Sequence, residues 1–412
     1  MNVLLINTSD LNGGAAIAAY RLLDALKSSG INAKMLVRDK LSESDNIVAI
    51  GNKLINKYNF YQERGEIFIL NSFTKENLFE ISIAKRGVNI TDTEEFKQAD
   101  IIHLHWINQG MLSIGEIKKI LSSGKKVVWT LHDMWPFTGI CHYAGNCDFY
   151  TKICGNCPLL RNRSKNDISR STFRRKLLAY SKGEINFVAC SNWLKDMAYE
   201  SALTAGHYIC SIPNPIDTGM YRPLNKSRIR EELNLPKDKK IVLFAAAKAS
   251  DKRKGLNYLI EASSLLKNYS DEILFLIAGN RSDEVEKLFD LPVKSMGYIS
   301  PENMPNIYNA ADLFVSPSLQ DNLPNTIMES MSCGTPCIGF NVGGIPQMID
   351  HKKNGYVSEY KNSQDLANGI SYMLFSKDSK HFGDYSRRKV LDNYSKEIVA
   401  RQYIEIYKNA RG

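Results

Sequence analysis

Two carboxylates stand eight residues apart in the run Asp321-Asn-Leu-Pro-Asn-Thr-Ile-Met-Glu329. The first lies among turn formers. The second lies in an apolar helical run that continues into Ser-Met-Ser-Cys-Gly334-Thr-Pro336. A strand that feeds a helix N-terminus makes a site for an anion, because the first backbone N–H groups of a helix have no intrahelical acceptor. A carboxylate a turn or more into that helix reaches sugar hydroxyls beside the anion. The combination suits a nucleotide sugar.

A second group of chemically able residues is Lys248-Ala-Ser-Asp-Lys-Arg253-Lys254-Gly255, which follows the strand-like run Ile241–Ala246. Ligands of open α/β sheets bind at the C-terminal ends of strands. Fixed cations there suit phosphates, and suit a departing diphosphate most of all. The alternative is a solvated basic loop. Near the start, Asn12-Gly13-Gly14 follows the first strand and opens a helix, which allows a close approach to an anion or serves simply as a tight turn. It is not GxGxxG, and no acidic residue ends the second strand, so a dinucleotide fold is disfavoured.

The elements that must position these groups follow a strand–helix rhythm. In the first half Val3–Asn7, Ala33–Val37, Ile101–His105, Lys126–Leu131 and Asn186–Cys190 read as strands, and Ala15–Lys27, Ile114–Ser122 and Asn192–Ser201 as helices. Ile212-Pro-Asn-Pro-Ile-Asp217 then breaks the pattern as a linker. The rhythm restarts with strands Lys240–Ala246, Ile273–Ala278, Leu313–Ser316 and Pro336–Gly339 and helices Leu256–Leu266, Met304–Ala310 and Thr326–Ser332. Ser395–Asn409 reads as a long final helix. Such alternation predicts parallel doubly wound sheets, and 412 residues suit two domains. Residues 55–100 are less regular and mix aromatics with charges. They read either as an irregular helical pair capping the sheet or as an insertion contacting an acceptor or a membrane.

The net charge of +9 is concentrated: residues 152–182 hold nine basic residues against Asp167 alone. That pattern is a local patch and not a nucleic-acid-binding balance. The chain opens directly on a strand, without a basic leader, and no apolar run approaches the ~18 residues of a spanning helix. The expectation is a soluble cytoplasmic protein. In the basic patch, residues 170–181 suit an amphipathic helix carrying Arg174, Arg175 and Lys176. Such a helix rests on an anionic membrane face or is merely solvated. Cys141, Cys147, Cys154 and Cys157 form C-x5-C-x6-C-x2-C, which suits either structural zinc or plain buried thiols. Cys190, Cys210, Cys333 and Cys337 read as core thiols. His103 and His105 share one strand face. His103 reads as structural, His105 as a rim residue, and Trp135 and Phe137 as core side chains or as lining of the acceptor pocket.

In order, the Gly13-Gly14 loop, Val188-Ala-Cys-Ser191-Asn-Trp, Ile-Pro-Asn-Pro-Ile-Asp217, the Arg253-Lys254-Gly255 loop, Gly297-Tyr-Ile299, Ser316-Pro-Ser and Glu329…Cys-Gly-Thr-Pro336 resemble the retaining glycosyltransferases of family 4. The likeness spans nearly the whole chain. His132-Asp-Met-Trp-Pro-Phe-Thr-Gly139 with the four cysteines resembles the branch that builds colanic acid and capsules. The resemblance implies the GT-B fold, an α/β architecture of two Rossmann-like domains facing across a cleft. Residues 1–212 are expected to bind the acceptor, 213–390 the donor, and 391–412 to return to the first domain. It implies that Glu329 grips the ribose, Asp321 contacts the donor sugar and Lys254 binds phosphate, with Lys248 in the place of a frequent Arg. It further implies that Gly13 and Gly14 admit the diphosphate, and that the main chain of Ile299 clasps the base. Asn322, Leu323, Asn325 and Thr326 present the loop's N–H groups, and His132 faces the transferred sugar. Three departures stand out: Asp321 where the family usually has Glu, Pro324 where it often has Gly, and Lys248, which lacks the bidentate fork of Arg.

The activity implied is transfer of a sugar from a nucleoside diphosphate sugar to a lipid-linked glycan acceptor at the inner membrane face. The anomeric configuration is retained and no metal cofactor is required. Nucleic acid is not an expected partner. A nucleotide-sugar 2-epimerase and a non-catalytic nucleotide-sugar-binding subunit share this architecture and stand as alternatives.

Overall fold

The computed structural model describes residues 1–410, leaving the side chain of Lys380 aside. The chain divides into two compact units. One comprises Met1–Pro215 with the chain from Val399 onward, the other Ile216–Ile398.

The first unit holds seven parallel strands: β1 Asn2–Ser9, β2 Asn32–Asp39, β3 Ile47–Ala49, β4 Ile101–Leu104, β5 Lys126–Leu131, β6 Ile185–Ala189 and β7 Tyr208–Ser211. Their order is β3-β2-β1-β4-β5-β6-β7. The central strands are apolar without alternation because both faces are covered. Val3, Leu4, Leu5 and Ile6 are all buried, the even-numbered pair in one core and the odd-numbered pair in the other. Helix Gly14–Ser28 packs its alanines and leucines on the Val3/Leu5 face. The helix Lys396–Asn409 places Val399, Tyr403 and Tyr407 in the same core.

The second unit is a six-stranded parallel sheet: β8 Lys240–Lys248, β9 Ile273–Asn280, β10 Val293–Gly297, β11 Leu313–Ser316, β12 Cys337–Phe340 and β13 Gly355–Ser358, in the order β10-β9-β8-β11-β12-β13. The doubly wound prediction therefore holds for both halves, although β2 runs on to Asp39, so an acidic residue does end the second strand, contrary to expectation. Short edge strands β3, β7, β10 and β13 are additions to the prediction. Their runs of three to five residues give too little periodicity to register.

Each sheet has one point where chain order reverses, between β1 and β4 in the first and between β8 and β11 in the second. Connections leave such a point in opposite directions and open a crevice at the strand C-termini. The Gly13–Gly14 loop follows β1. The Lys248–Gly255 and Ser318–Asn325 loops follow β8 and β11. Among the described residues, no helix is long and apolar enough to cross a membrane.

Candidate active site

In the second unit the two loops at the reversal point are joined by an ion pair. Lys254 Nζ lies 2.6 Å from Asp321 Oδ2, both side chains being largely shielded from solvent. Close backbone approach makes this possible. Gly255 has φ +67°, and a Cβ there would stand 1.9 Å from the carbonyl oxygen of Pro317. Gly343, at φ +58°, presses equally closely on the carbonyl of Asp321. Leu319 N–H donates to the Arg253 carbonyl at 2.7 Å, a further stitch between the loops.

The helix Asn325–Ser332 starts immediately after Pro324, which has φ −65° and occupies the cap position without a side-chain cap. A missing N–H is harmless there, since the cap residue donates no helical bond. Glu329, one turn in, is 7% exposed, and one of its oxygens accepts a hydrogen bond from Tyr308 Oη at 2.8 Å. Burial, then the adjacent Glu329 charge, holds the Tyr308 phenol well above its ordinary pKa, so it stays a donor. Glu329 and Tyr308 border a pocket of about 170 Å³ with Ala245–Ala247, Gly279, Ile299 and Thr326. The small side chains at the end of β8 make this space. Gly279, at φ +135°, meets the Ala246 carbonyl so closely that no larger residue fits.

The structure thus gathers Glu329, Thr326 and Ile299 at one pocket and couples Asp321 to Lys254 beside it. Asn322 and Leu323 are buried. Lys248 ends β8, exposed, and among the described residues has no ion-pair partner. Arg253 is held by Asp251 at 3.0 Å. Burial of Asp251 is outweighed by this guanidinium, and the carboxyl stays below its ordinary pKa. Of the four basic residues in the loop, two are therefore already engaged with carboxylates. Tyr308, Gly343 and Asp251 escaped sequence reasoning. Only the run Ala245-Ala-Ala247, small residues at a strand end, hinted at a pocket.

In the first unit Gly13, at φ +97°, caps helix Gly14–Ser28, with open space where a Cβ would stand. His132 follows β5. Its Nε2 is 3.0 Å from Nδ1 of His105, whose ring lies 4.2 Å from that of His103. His103 bonds Tyr407 Oη and Thr130 Oγ1, each at 2.7 Å, and Thr130 bonds Tyr403 Oη at 2.8 Å. The final helix thus braces a histidine row whose outer member is His132. His105 is not at the rim as expected: it is buried, with its ring between those of His103 and His132. Burial pushes all three imidazoles down, His103 to about 3 and His132 to about 4, so all are neutral at pH 7. His132 carries no charge there, and its ring nitrogens meet His105 Nδ1 and, at 3.8 Å, Cys190 Sγ.

Trp135 and Phe137 are fully buried. Cys141, Cys147, Cys154 and Cys157 line one small cavity, free of disulfides. Burial raises three of these thiols, Cys141 to about 11 and Cys154 and Cys157 to about 12. Among the described residues, no three His, Cys, Asp or Glu side chains are placed to hold a metal ion. The basic helix is observed at Ile168–Tyr180, with Arg174 exposed as expected but Arg175 and Lys176 turned inward, against either reading of them as surface cations. Lys176 is fully buried. It donates to the carbonyls of Trp135 and Thr138 and stacks 3.4 Å from the Trp135 ring, and Arg175 donates to the Ile83 carbonyl. Neither is available to a bilayer.

Two doubly wound units, with a cation–carboxylate pair and a buried helix carboxylate at one reversal point, define a GT-B sugar transferase. Residues 12–219 match the family described as Glycosyltransferase Family 4, and residues 225–389 match Glycosyl transferases group 1. The chain belongs to Glycosyltransferase Family 4. It is 24% identical, over 78% of its length and 86% of the relative's, to an uncharacterized glycosyltransferase of Methanocaldococcus jannaschii. It is 21% identical to the N-acetyl-alpha-D-glucosaminyl L-malate synthase of Bacillus anthracis, over 80% of this chain and 79% of that one. It is 25% identical to the lipopolysaccharide 1,2-N-acetylglucosaminetransferase of Salmonella typhimurium, over 55% and 62%. In fold it matches a sucrose-phosphate synthase of Thermosynechococcus elongatus, with TM-score 0.71, 18% identity, and 99% and 98% of the two chains covered. It also matches an Anabaena protein solved with UDP and glucose, with TM-score 0.65, 16% identity, and 99% and 100% covered.

Proposed function

We propose that this glycosyltransferase moves a sugar from a nucleoside diphosphate sugar to a hydroxyl of a lipid-linked glycan acceptor in surface polysaccharide assembly, working at the cytoplasmic face of the membrane. The observation that carries the reading is the Lys254–Asp321 pair at the β8/β11 reversal, set beside the pocket that Glu329 borders. In this reading the base and ribose occupy that pocket against Ile299, with Glu329 accepting from the ribose hydroxyls. The diphosphate lies over the Lys248–Gly255 loop, where it competes with Asp321 for Lys254. Asp321 released from Lys254 turns to a hydroxyl of the donor sugar.

The acceptor oxygen forms its bond to the anomeric carbon on the face from which the diphosphate leaves. The acceptor proton passes to the departing phosphate oxygen, so configuration is retained. Lys248 and Lys254 stabilise the charge that grows on that oxygen, which makes a catalytic metal unnecessary. Neutral His132 exchanges one of its present contacts, with His105 or Cys190, for a hydrogen bond to the sugar. NMR of the product formed from an α-linked donor is expected to show an α linkage, with EDTA leaving the rate unchanged. An inverted product, an epimerised donor in the absence of acceptor, or a rate restored only by Mg²⁺ or Mn²⁺ contradicts the reading.

The four cysteines carry a separate proposal, a structural zinc, supported by the cavity all four share. Binding requires the sulfurs to draw in around the ion and to shed protons that burial now retains, so affinity should rise with pH. Near-stoichiometric zinc in protein purified without chelator is expected. Folded protein without zinc overturns it.

A further inference from the structure

The helix Lys53–Leu70 is inverted. Its buried side carries Asn56, Asn59, Glu63 and Arg64 with Ile67. Its solvent side carries Leu54, Tyr58 and Tyr61, exposed to 75%, 58% and 67%, with Ile55 and Ile69 beside them. Positions 54, 58 and 61 form one stripe at helical spacing. The polar side faces inward for a definite reason. Glu63 Oε1 accepts the N–H groups of Ile83 and Ala84 at 2.9 Å each, and Arg64 donates to the carbonyls of Leu78 and Ile81 and to Ser82. The helix completes the bonding of the irregular segment 78–84, whose other backbone groups pair with Ile140, His142 and Ile114. The apolar side is thereby left outward, and Phe73 and Phe79 extend it, exposed to 69% and 59%.

The exposed charges around this face are mostly positive, with Glu76 and half-buried Glu80 the exceptions. Lys53 and Lys57 flank the stripe, and Arg86 lies over the Tyr58 ring at 5.9 Å. Glu66 is neutralised by Lys85, which leaves Glu76 as the exposed carboxylate of the segment. The loop carrying Arg161, Arg163 and Lys165, all exposed, is fastened to the far end of the helix. Arg161 N–H donates to Asn71 Oδ1 at 2.6 Å, and Asn77 Nδ2 to the Leu159 carbonyl at 3.1 Å. The basic patch of the sequence and its exposed aromatics thus meet on one side of the first unit.

We propose that this face docks on an anionic lipid bilayer, with Leu54, Tyr58 and Tyr61 entering the headgroup region and the flanking cations meeting lipid phosphates. Tyrosines with an apolar body and a polar tip suit that depth, and lysine stems cover apolar surface while their ammonium groups stay wet. A protein partner would also cover apolar surface, but the predominance of flexible lysines and arginines in the rim favours a diffuse anionic surface over discrete partner carboxylates. The proposal is independent of the donor site.

The test is co-sedimentation of the full chain with vesicles of phosphatidylcholine alone and with about one-third phosphatidylglycerol. Wild type is expected to bind the anionic vesicles, to release them in high salt, and to bind the neutral ones weakly. The variant Leu54→Ser/Tyr58→Ser/Tyr61→Ser is expected to partition about tenfold less. Its unfolding curve should match wild type, because the three side chains are exposed. Should that variant fold poorly, Lys53→Glu/Lys57→Glu reads out the same face. Absence of binding to anionic vesicles, or equal binding by folded variants, overturns the proposal. So does a wild-type dimer that these substitutions disperse, since a second copy would then cover the face.

Discussion

Lys254 and Asp321, the pair on which the proposed donor site turns, hold each other at 2.6 Å. In that proposal the cation assigned to phosphate is pre-positioned but not vacant. Two substitutions separate the roles. Lys254→Ala is expected to weaken binding of the nucleoside diphosphate and to lower kcat by about 10²–10³, the usual loss when one stabilising contact to a developing anion is removed. Asp321→Asn removes the competitor for Lys254. It should leave affinity for the free nucleoside diphosphate equal or higher while lowering kcat with the sugar donor. Calorimetry with the nucleotide and initial rates with the donor check both. Equal loss of nucleotide affinity in the two variants would show that the pair acts only as a structural brace. At this scale the sequence was informative about residue types and poor about partners. Glu329 and Lys254 could be picked out by their place in a strand–loop–helix pattern. Tyr308 could not, because its contact with Glu329 spans 21 residues and depends on how two helices pack. His105 was misplaced for the converse reason. Strand alternation says which face it shares with His103, but not that the His132 ring lies on its other side.

Elements succeed or fail here by where they let the backbone come close. Gly255 and Gly13 both have positive φ, but a Cβ at Gly255 strikes the Pro317 carbonyl whereas one at Gly13 meets nothing within 4 Å. Gly13→Ala should therefore cost only the backbone term, about 1–3 kcal/mol. Gly255→Ala should cost more, because it also forces the β8 and β11 loops apart. Denaturant unfolding measures both, and equal losses would mean that the loop junction yields freely. The basic helix Ile168–Tyr180 shows how sequence reasoning goes wrong at this level. A run of cations reads as a solvated or membrane-facing stripe, yet Lys176 turns inward to two carbonyls and an indole ring. The helix Lys53–Leu70 errs in the opposite direction, burying its amides and exposing its tyrosines. Its partner, the irregular segment 78–84, has no periodic signature, so nothing in the sequence showed which side would face in. Central strands such as β5 and β11 were legible to the residue because apolar runs covered on both faces leave little choice.

On the scale of the whole molecule, two independent sheets carry the chemistry, and the final helix ties its tyrosines to the histidine row of the first. That row makes the first unit acid-sensitive. Burial keeps His103, His105 and His132 below the ordinary value of 6.5 when folded, whereas the unfolded chain takes up protons near it. The stability these groups contribute is complete above pH 6.5. It declines as the pH falls toward about 4, the value reached by His132, by about 1.4 kcal/mol per pH unit for each histidine that remains neutral. A midpoint of unfolding that stays constant from pH 7 to 5 would contradict this. The two-unit organisation itself was readable from strand–helix rhythm and the Pro213-Asn-Pro215 break, since both are local signals. The central claim is that the second unit holds a nucleoside diphosphate sugar through Lys254 and Glu329. It is tested most directly by thermal unfolding of the full chain with a panel of UDP- and GDP-sugars. One member of the panel, at about 100 times its Kd, should add about 2.7 kcal/mol. That gain should vanish in Lys254→Ala and in Glu329→Ala, each of which should retain the ligand-free midpoint within a few degrees. A panel in which no nucleotide sugar raises the midpoint, or in which both variants respond as wild type does, would contradict the account.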